Sequence, residues 1–157
     1  MEKMKILIID NVRSAHNVGS LFRTSDGAGV ELIILVGYTP SPIDRFGREQ
    51  PEIKKTSLGA SAMIPFETKE AGADILKRIQ ELKNEGYAIV SVEQTQRSIS
   101  LYDFNVPEKV VYIVGNEIDG VCTALLEVSD VVIEIPMLGK KESLNVGVAT
   151  GIVLFHR

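Results

Sequence analysis

Six apolar, β-branched runs punctuate the chain: Lys5–Ile9, Glu31–Val36, Met63–Phe66, Ala88–Val92, Val110–Val114 and Val131–Ile135. Several are continuous rather than alternating, the pattern of strands buried on both faces of a parallel sheet. Helical segments lie between them. The clearest extends from about Glu70 to Glu85, with Ile75, Ile79 and Leu82 on one face and Gly86 placed as a C-terminal stop. Strand alternating with helix predicts a single α/β domain over residues 1–157, its sheet mostly parallel and flanked by helices.

Two stretches depart from this rhythm. Residues 38–59 hold three prolines, several charges and few strand formers. They read as a long loop with one short helix, either functional or a plain surface excursion. The final segment, Val146–Phe155, is apolar almost all round, so its helix should be buried on every side. In a domain this small, that implies cover from a partner subunit and hence a homodimer. Gly147 and Gly151, four apart, would let two backbones approach, and the segment is too short to span a membrane.

Composition narrows the picture. A chain of 157 residues, 45% apolar and 24% charged, can bury one sizeable core and is far from disordered. No apolar run reaches the roughly eighteen residues of a membrane helix, and Asp10 closes the first run too early for a signal peptide. Cys122, the only cysteine, cannot form an internal disulfide, which points to the cytoplasm. It reads as a small core residue rather than a nucleophile. A net charge of −4 favours a small-molecule enzyme over a nucleic-acid binder. Yet Arg13, Arg23, Arg45, Arg48, Lys54, Lys55, Lys140 and Lys141 lie in or beside loops, while acids crowd residues 67–85, so a local basic face is compatible with the acidic total.

Three segments carry candidate chemistry. In the first, residues 17–24, Asn17 suits a helix cap and Gly19 allows close approach. Arg23 lies six residues on, about 240° around a helix from Asn17, so the two need not share a face. The plain alternative is a cap followed by an exposed arginine. The second, residues 114–120 (VGNEIDG), follows a buried strand, where glycines expose backbone groups to a ligand. It is neither a GxGxxG fingerprint nor a P-loop, and Asp119 could simply cap the next helix. The third, residues 135–146 (IPMLGKKESLNV), ends a strand at Pro136, carries two lysines and begins a helix near Ser143, itself a possible N-cap. His16 and His156 have no partners at metal-ligand spacing; both read as surface residues, and no metal is assigned.

In order, spacing and wording these segments resemble the three motifs of the SpoU (TrmH-like) branch of the SPOUT methyltransferase superfamily. IPMLGKKESLNVGVA is the most specific of them, and residues 55–60 (KTSLGA) resemble the family's link into the third strand. The resemblance covers essentially the whole chain and implies a minimal catalytic core with no added RNA-binding domain. It also implies a deep C-terminal trefoil knot, against the general rarity of knots, with the cofactor pocket inside the knot at a dimer interface. The implied activity is transfer of a methyl group from S-adenosylmethionine to a ribose 2′-hydroxyl of tRNA or rRNA. Arg23 would be the catalytic arginine, supported by Asn17, Glu117, Ser143 and Asn145. The cofactor would be held by Val114, Gly115, Asn116, Glu117, Ile135, Met137, Leu138, Ser143, Leu144 and Asn145. RNA would meet Arg13, Arg45, Arg48, Lys54, Lys55, Lys140 and Lys141. Two competing readings are a knotted binding module without catalysis and a methyltransferase acting on a small molecule or protein.

Overall fold

Side chains alternate across a strand, and that period of two divides the core into two layers. The computed structural model describes residues 2–157. Its elements are β1 (Met4–Asp10), α1 (Ala15–Gly27), β2 (Val30–Val36), α2 (Pro51–Ser57), β3 (Phe66–Lys69), α3 (Ala73–Asn84), β4 (Ala88–Val92), β5 (Ile99–Ser100), β6 (Lys109–Gly115), α4 (Thr123–Val128), β7 (Val131–Glu134) and α5 (Val146–Phe155). Leu7 and Ile9 of β1, with Tyr112 and Val114 of β6, face Leu21 and Phe22 of α1 and Val153 and Leu154 of α5. Ile6, Ile8, Val111 and Ile113 face the other way, onto Ile75, Ile79 and Leu82 of α3 and Leu125 of α4. Both faces are therefore dry, which explains why the strand sequences are continuously apolar.

The sheet is parallel throughout, in the order β3-β2-β1-β6-β4-β7-β5. The winding changes direction between β1 and β6, so a crevice opens at their carboxyl ends, the usual ligand position of such sheets. The order also places β7 between β4 and β5, although β4 and β5 are joined by only residues 93–98. Lys5 fastens the last helix to this frame. Its ammonium donates to the carbonyls of Ala28 and Leu154 at the ends of α1 and α5, at 3.1 and 2.9 Å.

Several elements differ from their sequence reading. The third strand is Phe66–Lys69, not Met63–Phe66. Residues 60–62 form a 3-10 turn, Met63 is exposed, and Pro65 has no N–H to give the ladder, so pairing begins at Phe66 opposite Ile33. The two-residue β5 went unread because it is too short to show a period. Asn17 is the third residue of α1, not its cap; Ser14 caps that helix, its hydroxyl accepting the Asn17 N–H. Asn145, not Ser143, caps α5, which starts at Val146. The N-cap of α4 is Cys122 rather than Asp119, and Cys122 is exposed rather than in the core. The short helix expected within residues 38–59 is α2, capped by Gln50.

The last helix is not buried on every side within one chain. Val146, Thr150, Val153 and Leu154 are buried, but Val148, Ile152 and Phe155, at spacings of four and three, are 54%, 39% and 57% exposed. They form an apolar stripe open to solvent. Among the described residues, no helix is long and apolar enough to cross a membrane, and no three His, Cys, Asp or Glu side chains gather as a metal site would require.

Candidate active site at the carboxyl edge of the sheet

In a parallel sheet every segment leaving a strand emerges at the same edge. Segments after β4, β6 and β7 meet there around a cleft of about 370 Å³, within the usual range for small-molecule sites. Its walls are residues 92–94, the turn 114–120, residues 134–137 (except Pro136), residues 142–144, and Val146, Ala149 and Thr150 of α5.

The turn after β6 is built by Asn116. Its Oδ1 accepts the N–H groups of Ile118 and Asp119, and its Nδ2 donates to the Asn11 carbonyl, tying the turn to the end of β1. Gly115 is required by proximity rather than by φ, because a Cβ there would run into the Gly120–Val121 backbone. Two carboxylates hold the far side. Asp10 Oδ2 accepts the Cys122 N–H at 2.9 Å, and Glu93 Oε2 accepts that of Val121 at 3.2 Å. Asp10 is 1% exposed and its Oδ1 has no partner among the described residues. Burial pushes its carboxyl above the ordinary range, against the lowering effect of the Cys122 N–H. The Cys122 thiol, on a residue that is exposed overall, is also raised above its ordinary value, chiefly by partial desolvation against the protein.

The third wall is irregular backbone between β7 and α5. Gln94 Nε2 donates to the Glu142 carbonyl at 2.7 Å, so the segment after β4 is fastened across the one after β7. Asn145 then turns the chain into α5, its Oδ1 accepting the N–H groups of Gly147 and Val148 at 2.8 and 3.4 Å.

Of the ten residues expected at the cofactor, Val114, Gly115, Asn116, Glu117, Ile135, Met137, Ser143 and Leu144 line this cleft. Leu138, 97% exposed, and Asn145, at the helix cap, lie outside its lining. Asn17 joins the group through Glu117, whose Oε1 accepts its amide at 2.7 Å. Arg23 does not line the cleft of its own chain; it stands exposed on α1, beside Thr24, whose methyl a Cβ at Gly151 of α5 would meet. Glu93, Gln94, Glu134 and Glu142 line the cleft without having been singled out from sequence. For Glu93 and Gln94 the available signal was position, directly beyond the carboxyl end of a buried strand.

The expected RNA cations lie on several separate segments: the connections after β1 and β7, the β2–α2 connection and α2. Arg13 lies over the ring of Tyr38, and Arg45 and Arg48 over that of Phe46. Arg48 also pairs with Asp44, and Lys54 with Glu49, both at 2.9 Å. Lys55, Lys140 and Lys141 are exposed.

Comparison with known proteins shows the family. The model of the SpoU rRNA Methylase family matches residues 4–155. A 23S rRNA (guanosine-2′-O-)-methyltransferase RlmB from Neisseria meningitidis serogroup B is 32% identical over 149 residues, which are 95% of this chain and 56% of that protein. A tRNA (guanosine(18)-2′-O)-methyltransferase from Aquifex aeolicus is 31% identical over 155 residues, 99% of this chain and 69% of its own length. The AdoMet-bound structure of an rRNA methyltransferase from Sinorhizobium meliloti superposes with a TM-score of 0.85 at 29% identity, covering 99% of this chain and 56% of that one. This chain thus spans little more than half the length of the RlmB protein and of the S. meliloti enzyme.

Proposed function

Because the chain belongs to the SpoU rRNA Methylase family, we propose that it is an S-adenosylmethionine-dependent methyltransferase acting on a ribose 2′-hydroxyl of tRNA or rRNA. The observation that carries this reading is the cleft itself, which gathers residues of the second and third motifs at the carboxyl edge of the sheet. The cleft suits that cofactor. Val114, Ile135, Met137 and Leu144 offer apolar walls for a purine, and Glu93, Glu117, Glu134 and Glu142 offer negative charge toward a sulfonium and an ammonium. S-adenosylmethionine, when bound, supplies the methyl group.

What remains is to make a ribose hydroxyl nucleophilic and to aim it. A guanidinium is almost never neutral, so Arg23 is a poor literal base. Its role is to stabilise the developing alkoxide and the adjoining phosphate. Glu117, held by Asn17, and Ser143 orient the ribose at the mouth of the cleft, while Asn145 fixes the start of α5. Arg13, Arg45, Arg48, Lys54, Lys55, Lys140 and Lys141 supply the RNA surface.

We further propose a homodimer and a C-terminal knot. The solvent-open stripe of Val148, Ile152 and Phe155 supports the dimer, since a partner would cover it. Arg23, on the helix beside that stripe, would reach a cleft through this assembly. The knot is supported by the placing of β7 between β4 and β5, two strands joined by only residues 93–98. A single exposed cysteine fits the cytoplasm.

The decisive experiment offers methyl-labelled S-adenosylmethionine with total RNA, total protein or small-molecule extract. Label in RNA, at 2′-O-methylated nucleotides, is expected. Label in protein alone, or saturable cofactor binding without transfer to anything, would overturn the assignment in favour of another substrate or a binding module.

A further inference from the structure

The connection between β2 and α2 is not an irregular loop. Residues 42–50 fold back as a small hairpin: Ile43 and Glu49 form an antiparallel bridge, Asp44 N–H donates to the Arg48 carbonyl, and Gln50 N–H to that of Pro42. Asp44 organises the tip. Its Oδ1 accepts the N–H groups of Phe46 and Arg48 at 2.8 and 2.9 Å, and its Oδ2 accepts Arg48 Nε at 2.9 Å. Gly47 takes the left-handed backbone that closes the turn, at φ 79°.

This ordered tip holds an aromatic ring out in water. Phe46 is 67% exposed, and the guanidinium carbons of Arg45 and Arg48 lie 4.8 and 4.9 Å from its centroid. A second pair stands nearby in the chain. Tyr38, 75% exposed, has Arg13 over its ring at 5.4 Å, and its N–H is pinned by the Oδ1 of Asn11, itself at a left-handed φ of 53°. Tyr38 follows β2 and Arg13 follows β1, so both sit at the edge where the cleft opens. The hairpin leads into α2, which packs on the first turn of α1. Thr56 donates to the His16 carbonyl, one residue from Asn17.

We propose that the Arg45–Phe46–Arg48 tip is a stacking platform for unpaired bases of the RNA substrate, with Tyr38 and Arg13 as a second such surface. Planar guanidinium and aromatic faces are what splayed-out bases stack upon. The charges of Asp44 and Glu49 offset those of Arg45 and Arg48, so phosphate neutralisation is not the hairpin's main contribution. A stacked duplex offers no free base faces along its length, whereas a loop or single strand does. The proposal rests on the reading of the chain as an RNA methyltransferase and adds the kind of RNA it grips.

The test is fluorescence anisotropy of the full chain with three labelled probes: a mixed-sequence single-stranded RNA 12-mer, a stem-loop displaying the same bases in its loop, and a fully paired duplex of the same sequence. Phe46→Ala should weaken the single strand and the stem-loop about 5- to 100-fold and leave the duplex nearly unchanged. The slope of affinity against salt should stay constant, because no charge is removed. Phe46→Trp should restore binding. Wild-type protein that binds the duplex as well as the single strand, or Phe46→Ala that binds every probe normally, overturns the proposal. So does a change in sedimentation on Phe46→Ala, which would place the ring between two copies of the chain. Cofactor titration and methyl transfer on the same preparations separate the two levels. Transfer to RNA that is indifferent to Phe46 refutes only the platform; base-dependent RNA binding without any transfer refutes the enzyme.

Discussion

Asn145 was expected at the chemistry and stands at a helix cap, and substitution can tell the two roles apart. Asn145→Ala removes the acceptor of two N–H groups, one at 2.8 Å and one at a marginal 3.4 Å. One good bond and one weak one correspond to the usual cap contribution of about 1–2 kcal/mol. In a protein of this size that should lower the melting temperature by about 2–8 °C. Asn145→Asp keeps an acceptor in the same place and adds negative charge at a helix N-terminus, stabilising by about 0.3–1 kcal/mol, so it should melt at or above wild type. It lacks only the Nδ2 donor. Thermal unfolding of the three proteins, paired with single-turnover methylation, therefore separates the roles. A stable Asn145→Asp protein with wild-type transfer means that Asn145 acts through the helix alone; stable but inactive protein means that its amide meets a substrate. If Asn145→Ala melts within about 1 °C of wild type, the cap argument fails.

Arg23→Ala should lose about 10²–10³ in turnover while still binding cofactor, as calorimetry would show; transfer near the wild-type rate would remove Arg23 from the mechanism. If Arg23 serves the cleft of a second copy, mixing inactive Arg23→Ala with a cleft-defective Leu144→Glu protein should restore about a quarter of the sites, and no recovery places Arg23 in its own chain's reaction. Val148→Glu puts a charge at a position 54% exposed within one chain, so sedimentation should report folded monomers; an unaltered oligomer would show that this stripe is not the interface. The carboxyl of Asp10 is raised by burial, so its ionisation opposes folding. Stability is fully present below the unfolded value near pH 4 and falls as pH rises through the higher folded value. Asp10→Asn should flatten that fall in denaturant titrations from pH 4 to 8, and parallel curves for the two proteins would contradict it.

What the sequence revealed follows from what burial writes into it. Strands covered on both faces must be apolar at successive positions, so β1, β2, β4, β6 and β7 could be read within a residue or two. Alternation of strand and helix then implied the parallel sheet. The order of those strands could not be read, because nothing local records that β7 enters between β4 and β5. Met63–Phe66 misled because apolar residues are no proof of a ladder: Met63 is exposed and Pro65 cannot donate. Cys122 misled in the opposite sense. A cysteine usually fills a core, but here position at the start of α4 leaves the side chain exposed while Asp10 takes its N–H.

The site was legible where backbone geometry demands a residue type and illegible where a side chain merely faces inward. Gly115 and Asn116 announce a turn after a strand, and the structure uses them for that turn. Glu93 and Gln94 look like ordinary polar residues after a strand, yet one holds Val121 and the other holds Glu142. Net charge is silent about placement for the same reason. Asp10 and Glu93 hold backbone N–H groups of the turn after β6, Glu117 holds Asn17, Asp44 builds the hairpin tip and Glu49 pairs with Lys54. These five acids position the groups proposed to meet cofactor and RNA. A sum of −4 counts them as repulsion, although each is already engaged with a donor of its own chain. Affinity for RNA in such a protein should then depend on where planar and cationic groups are displayed, and only weakly on the total.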